Sequence, residues 1–88
     1  MTYRNLGNSG LKVSIIGYGN WLNSNDKDAY PTTKNLIKHC LSLGINFFDT
    51  AEIYGMGEAE RQMGQAFKDL EVKREQIVVT TKMFKFLI

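Results

Sequence analysis

Three polar residues capable of acid–base chemistry stand at or near the ends of predicted β-strands. Asp49 closes a strand predicted over residues 45–49, and Tyr54 follows five residues later. Lys82 closes a β-branched strand predicted over residues 77–82, of the kind that is covered on both faces. If the two strands are parallel neighbours, about 4.8 Å apart, Asp49 and Lys82 can form an ion pair, and Tyr54 can fold back over the same opening.

Such a trio could act as a general acid. A tyrosine phenol, with a pKa of about 10, donates a proton poorly at neutral pH. A lysine ammonium within hydrogen-bond reach stabilises the phenolate, and a carboxylate behind the lysine orients it and compensates its charge. A carbonyl group needs an acid of this kind while hydride arrives at its carbon. Spacing alone also fits a structural ion pair with a packing tyrosine, which is the commoner occurrence in a short chain.

The elements that must position these residues alternate along the chain. An N-terminal hairpin is predicted around the turn-forming sequence GNSG at residues 7–10. Parallel strands are predicted at residues 13–17, 45–49 and 77–82. This order of strands and helices indicates an α/β fold with a parallel sheet, either doubly wound or part of a barrel.

Two helices connect the predicted strands. Pro31 suits the first turn of one helix, apolar residues follow at helical spacing, and Gly44 is placed to end it. The second helix carries an apolar stripe on one face, formed by Ala59, Met63, Ala66, Phe67 and Leu70.

Several segments resemble the N-terminal part of the aldo-keto reductase family. The hairpin sequence LGNSGLKVS and the sequence GYGNW at residues 17–21 are similar to the start of family members. The sequence GINFFDTAEIYG at residues 44–55 resembles the best-known family signature, and VTTK at residues 79–82 resembles the strand that carries the family's lysine. The resemblance extends over residues 3–84 and is greatest to the subgroup containing potassium-channel β-subunits and general-stress reductases.

The resemblance implies a (β/α)8 TIM barrel that reduces aldehydes and ketones with NADPH. Family members use a tetrad of Asp, Tyr, Lys and His, and Asp49, Tyr54 and Lys82 match its first three members. Gly19, Asn20 and Trp21 match the loop that lies against the nicotinamide and substrate in relatives, and Asp49 borders the same cofactor site. Most relatives have Thr where this chain has Asn20.

The chain lacks other parts that the family uses. Its single histidine, His39, falls within the first predicted helix and does not match the fourth tetrad member. A complete barrel needs about 250 residues, whereas this chain has 88. We therefore expect residues 1–88 to form one partial domain, the N-terminal hairpin and about the first three β/α units of an incomplete barrel, which is truncated and inactive alone.

Composition excludes several other classes. With 43% hydrophobic and 23% charged residues, the chain has an ordinary globular composition. Its net charge of +2 comes from interspersed residues, so nucleic acid is not an expected partner. No apolar segment approaches the roughly 18 residues of a membrane span, so no membrane insertion is expected. One Cys and one His predict no metal site, and the lone thiol of Cys40 suits a reducing, cytoplasmic location.

Two Gly-x-Gly pairs, at residues 17–19 and 55–57, lack the third glycine of the dinucleotide fingerprint. We predict that they serve turns or close approaches of the chain.

Three functions remain open. The first is carbonyl reduction of a small substrate with NADPH and a tyrosine acid. The second is a non-catalytic interaction module, either regulatory as in channel β-subunits or self-associating through the exposed edges of an incomplete sheet. The third is a fragment without independent function.

Overall fold

The structure, a computed structural model, describes residues 1–20, 29–51 and 54–83. The predicted site residue Trp21 lies outside these ranges. The described chain contains five three-residue strands and two helices: β1 (Tyr3–Asn5), β2 (Lys12–Ser14), β3 (Gly17–Gly19), α1 (Tyr30–Ser42), β4 (Phe47–Asp49), α2 (Glu58–Asp69) and β5 (Val78–Thr80).

The N-terminal hairpin is confirmed. Strands β1 and β2 pair antiparallel, and their turn is closed by a hydrogen bond from Leu6 N to Leu11 O of 2.8 Å. The hairpin is tied to the start of β4 by Asn46, whose Oδ1 accepts from Ser14 N at 2.7 Å and whose Nδ2 donates to Lys12 O at 3.0 Å. It therefore lies at the amino end of the parallel sheet, away from the strand ends where the site is predicted.

The predicted position of the first parallel strand, residues 13–17, is wrong. Val13 and Ser14 belong to the hairpin, and the first parallel strand is β3. Between them the chain bends, and Ile15 and Ile16 remain 51% and 55% exposed, because the hairpin has ended and the sheet has not begun. Gly17 meets the close-approach prediction, since a Cβ there would lie 3.0 Å from the Phe47 ring.

The parallel sheet has the sequential order β3-β4-β5. Its register aligns Gly19, Asp49 and Thr80 in one row at the carboxyl ends of the strands. Sequential neighbours occur in a barrel segment and also within either half of a doubly wound sheet, whose order reverses only between the halves. The three described strands are therefore compatible with both architectures that the alternating pattern allowed.

Both helices pack on one face of this sheet. Phe48, at the centre of β4, is fully buried and forms one core cluster with Ile37 of α1 and with Met63 and Ala66 of α2. The Phe67 ring contacts Phe48 edge-on, with ring centroids 5.0 Å apart. The predicted apolar stripe of the second helix is confirmed, and the helical layer on a single face is compatible with part of a barrel.

Two glycines set the helix boundaries. Gly44 follows the C-cap of α1 with φ of +87°, which confirms its predicted role. Gly57 precedes α2 with φ of +92°, so the second Gly-x-Gly pair serves a turn. Neither helix of the described ranges is long and apolar enough to cross a bilayer.

Strand β5 differs from its prediction in length and burial. It spans three residues instead of six, and all three are half-buried rather than covered on both faces. Only β4 pairs with it in the described ranges, so its outer edge lacks the neighbour that a central strand would have.

Candidate active site

The three residues of the predicted acid–base trio meet at the carboxyl rim of the sheet. The Lys82 Nζ lies 2.9 Å from both Oδ1 and Oδ2 of Asp49. It also donates to the Thr50 carbonyl at 3.2 Å and lies 3.5 Å from the Tyr54 hydroxyl, a long contact. The predicted juxtaposition of carboxylate, phenol and ammonium is therefore confirmed.

Local backbone geometry explains how each residue reaches the rim. Successive side chains of a strand point to opposite faces, so Asp49 projects away from the face on which Phe48 packs against the helices. Lys82 lies two residues beyond Thr80, the last residue of β5. Tyr54 begins a 3-10 turn that ends at Gly57, and its N–H donates to Ala51 O at 3.2 Å, which keeps Tyr54 close to the end of β4.

The ion pair is partly open to solvent and keeps both groups charged. Partial burial acts to raise the pKa of the Asp49 carboxyl, but hydrogen bonds from Thr80 and Lys82 and the charge of Lys82 lower it below its ordinary value. The hydrogen bond to Asp49 raises the pKa of Lys82, against an opposing effect of desolvation. The side chains are 41% and 53% exposed for Asp49 and Lys82, so at neutral pH a charged, accessible pair stands beside the Tyr54 phenol.

The residues predicted to contact the cofactor differ in their accessibility. Gly19 is exposed at the end of β3, level with Asp49, and nothing lies within 4 Å of the position that a Cβ would occupy. Asn20 is fully buried, and its Nδ2 donates to the Ala59 carbonyl at 3.0 Å. Its amide thus links the end of β3 to the start of α2, and its contact with a nicotinamide stays a prediction.

Other residues with polar or reactive side chains lie in the core or on the helices, apart from the trio. The Tyr18 ring packs at 6.0 Å from the Phe48 ring and adjoins the core. His39 is exposed in the last turn of α1, and burial raises the pKa of the neighbouring Cys40 thiol. Among the described side chains, no three His, Cys, Asp or Glu converge as metal ligands would.

One site residue was missed by the sequence analysis. The Thr80 hydroxyl donates to Asp49 Oδ1 at 2.6 Å, the shortest contact that this carboxylate makes. A signal for it exists in the sequence, because Thr80 precedes Lys82 by two residues and so shares its face of an extended chain.

Comparisons with known proteins agree with this geometry. A model of the aldo/keto reductase family matches residues 15–87. A probable voltage-gated potassium channel subunit beta of Oryza sativa is 46% identical over 84 residues, covering 96% of this chain and 26% of that relative.

Solved structures show the same family. The holo form of an aldo-keto reductase from Bacillus halodurans superposes with a TM-score of 0.79 at 34% identity, covering 92% of this chain and 25% of that one. An aldo-keto reductase from Klebsiella pneumoniae, solved in complex with NADPH, superposes with a TM-score of 0.70 at 28% identity. The match covers 80% of this chain and 24% of that one.

The superpositions on these reductases, together with sequential parallel strands that carry helices on one face, identify the fold as part of a (β/α)8 barrel with a polar cluster at its carboxyl rim. The chain belongs to the aldo/keto reductase family. It spans about a quarter of the length of the relatives that it matches.

Proposed function

We propose that this chain carries the proton-donating site of an NADPH-dependent oxidoreductase that reduces small aldehydes and ketones. The observation that carries the proposal is the position of the Lys82 ammonium, which contacts both oxygens of Asp49 and lies 3.5 Å from the Tyr54 hydroxyl. Family membership supports the reaction class, and the NADPH complex of the Klebsiella relative supports the cofactor.

In this proposal Tyr54 donates its phenolic proton to the carbonyl oxygen of the substrate. Lys82 stabilises the phenolate that remains, because its positive charge lies beside the phenol oxygen. Asp49 holds the ammonium in place through two hydrogen bonds and compensates its charge. A long contact between Lys82 and Tyr54 is compatible with this role, since catalytic hydrogen bonds often tighten only when substrate is bound.

The rim beside Gly19 and Asp49 is open, which leaves space there for part of the cofactor. Apart from its two chain neighbours, no described atom lies within 4 Å of the position that a Gly19 Cβ would occupy, and Asp49 is the register partner of Gly19 in β4. When bound, NADPH supplies the hydride for the reduction. The chain's own residues at this rim would position the nicotinamide edge and hold the acidic proton on the Tyr54 oxygen.

The decisive test places these residues in a complete barrel. The aligned quarter of the Bacillus halodurans reductase would be replaced by this chain, and NADPH oxidation measured with a small aromatic aldehyde. Tyr54→Phe is expected to lower kcat by about 10²–10⁴, the usual contribution of a general acid. Tyr3→Phe is the matched control. The Tyr3 hydroxyl donates to the Gly44 carbonyl beside the hairpin, at the end of the sheet opposite the rim. A chimera that keeps its kcat after Tyr54→Phe would refute the assignment.

A second candidate is self-association through the sheet edges. In the described ranges β3 and β5 each pair with β4 alone, and Met83 beyond β5 is 91% exposed. Two measurements on the 88-residue chain separate the candidates. Saturable quenching of NADPH fluorescence supports the reductase function for this chain itself, whereas concentration-dependent sedimentation without NADPH binding supports association. A monomer at all concentrations counts against edge pairing.

A further inference from the structure

The row of residues at the carboxyl rim places Thr80 directly beside Asp49. The register pairs the two residues across β4 and β5, and the Thr80 Oγ1 donates to Asp49 Oδ1 at 2.6 Å. This oxygen therefore accepts two hydrogen bonds, one from Thr80 and one from Lys82, while Oδ2 accepts one from Lys82. Thr80 itself is held by the ladder, since its carbonyl accepts from Thr50 N at 2.9 Å.

We infer that Thr80 is a positioning residue that fixes the plane of the Asp49 carboxylate, so that both carboxylate oxygens hold the Lys82 ammonium against Tyr54. The inference rests on the proposed function, in which Lys82 must stay beside the phenol.

A carboxylate needs such an anchor here. The terminal torsion of Asp has a broad distribution, so the carboxylate of Asp49 is free to rotate unless a partner fixes it. Lys82 cannot supply that constraint, because a lysine has a flexible four-carbon stem and its side chain here is 53% exposed. Thr80 can, because it is β-branched and its backbone lies in the ladder. With the plane fixed, the third N–H of the ammonium is left for Thr50 O or the Tyr54 hydroxyl, which lie 3.2 and 3.5 Å away.

The neighbouring threonine provides an internal comparison. Thr81 points the other way, as alternation along an extended chain requires, and its hydroxyl donates to Glu60 of α2 at 3.0 Å. Two consecutive threonines thus carry out different tasks, one at the rim site and one at the helix. Thr81→Val is therefore a matched control for Thr80→Val, with the same chemical change one residue away.

The first measurement follows the Asp49 carboxyl carbon by NMR during a pH titration of the 88-residue chain. Thr80→Val is expected to raise the pKa of Asp49 towards its ordinary value, because the carboxylate loses a hydrogen bond that favours its charged form. Thr80→Ser, which restores a hydroxyl, should keep the pKa low, and Thr81→Val should leave it unchanged. Thr80→Ala provides the same test if valine disturbs the fold. An Asp49 titration unaffected by either hydroxyl-free variant would overturn the inference.

The second measurement uses the barrel chimera. Thr80→Val is expected to lower kcat roughly two- to tenfold, the equivalent of one hydrogen bond, with rescue by Thr80→Ser. The two proposals fail in distinguishable ways. If Tyr54→Phe keeps its activity, the proposed function fails, whatever the Asp49 titration shows. If Tyr54→Phe loses activity while Thr80→Val keeps full kcat, Tyr54 remains the acid and Thr80 has no positioning role.

Discussion

The buried amide of Asn20 offers a sharp test of how the site is held together. Its Nδ2 donates to Ala59 O at 3.0 Å, and both residues are fully buried. The contact connects the end of β3, where the cofactor rim begins, to the first turn of α2. Asn20→Ala removes the donor and leaves a gap where a fully buried side chain was, while the Ala59 carbonyl keeps its place in the hydrogen-bond ladder of α2.

The expected cost follows from that burial. A hydrogen bond in a protein contributes about 0.5–1.5 kcal/mol, and the cavity left by a truncated buried side chain adds to that loss. We therefore expect Asn20→Ala to lower the free energy of unfolding by about 2 kcal/mol, a large share of the stability of a domain of this size. This corresponds to a fall in Tm of about 10 °C.

Urea unfolding followed by far-ultraviolet circular dichroism measures this cost. The matched control is Asn35→Ala, because Asn35 is exposed on α1 and its replacement by a better helix former should change stability by less than about 0.5 kcal/mol. If the midpoints of Asn20→Ala and Asn35→Ala coincide, the bond to Ala59 does not stabilise the fold, and the reasoning from burial is wrong.

Three further predictions concern the helices and the core. Gly57 has a φ of +92°, so Gly57→Ala should destabilise the chain by about 1 kcal/mol. At Gly64 an added methyl meets nothing within 4 Å, so Gly64→Ala should stabilise the chain by about 0.5–1 kcal/mol. Equal urea midpoints for the two variants would contradict this prediction. Phe48→Ala should cost about 3–5 kcal/mol and abolish the near-ultraviolet circular dichroism of the packed aromatic residues; a preserved spectrum would refute its central place. Burial, with the hydrogen bond to Asp69, raises the pKa of Tyr30 to about 12, so its stabilising contribution is complete below pH 10 and is lost as pH rises towards 12. Tyr30→Phe should flatten this alkaline loss, and an unchanged pH profile would show that another group controls it.

The sequence predicted the helices better than the strands, for a physical reason. The stripe of α2 repeats over three turns, so its 3.6-residue period is unmistakable. A strand of three residues is too short to show a clear alternation of apolar and polar residues. The apolar pair Ile15 and Ile16 therefore led to a strand being predicted where the chain forms an exposed bend. Gly17 meets its close-approach prediction as the first residue of β3, where an added Cβ would lie 3.0 Å from the Phe47 ring.

The hydrophobic pattern of the sequence could not predict polar contacts between different elements. Thr33 of α1 donates to Gln62 of α2 at 2.9 Å, with both side chains buried. Neither residue is apolar, and their pairing depends on how two helices are placed side by side. The trio of Asp49, Tyr54 and Lys82 was predictable because strand ends in parallel sheets share a rim, which is a rule of topology and not of local periodicity.

The alignment of β4 with β5 has a consequence for how faithfully the chain assembles. Strands of three residues hold few ladder bonds, so misaligned sheets compete closely with the native one. A slip of one residue would turn the Thr80 hydroxyl to the opposite face, and a slip of two would carry Lys82 about 7 Å along the strand, out of reach of Asp49. The contacts among Asp49, Thr80 and Lys82 thus stabilise the correct strand register. A chain that folds with misaligned strands does not form the polar site.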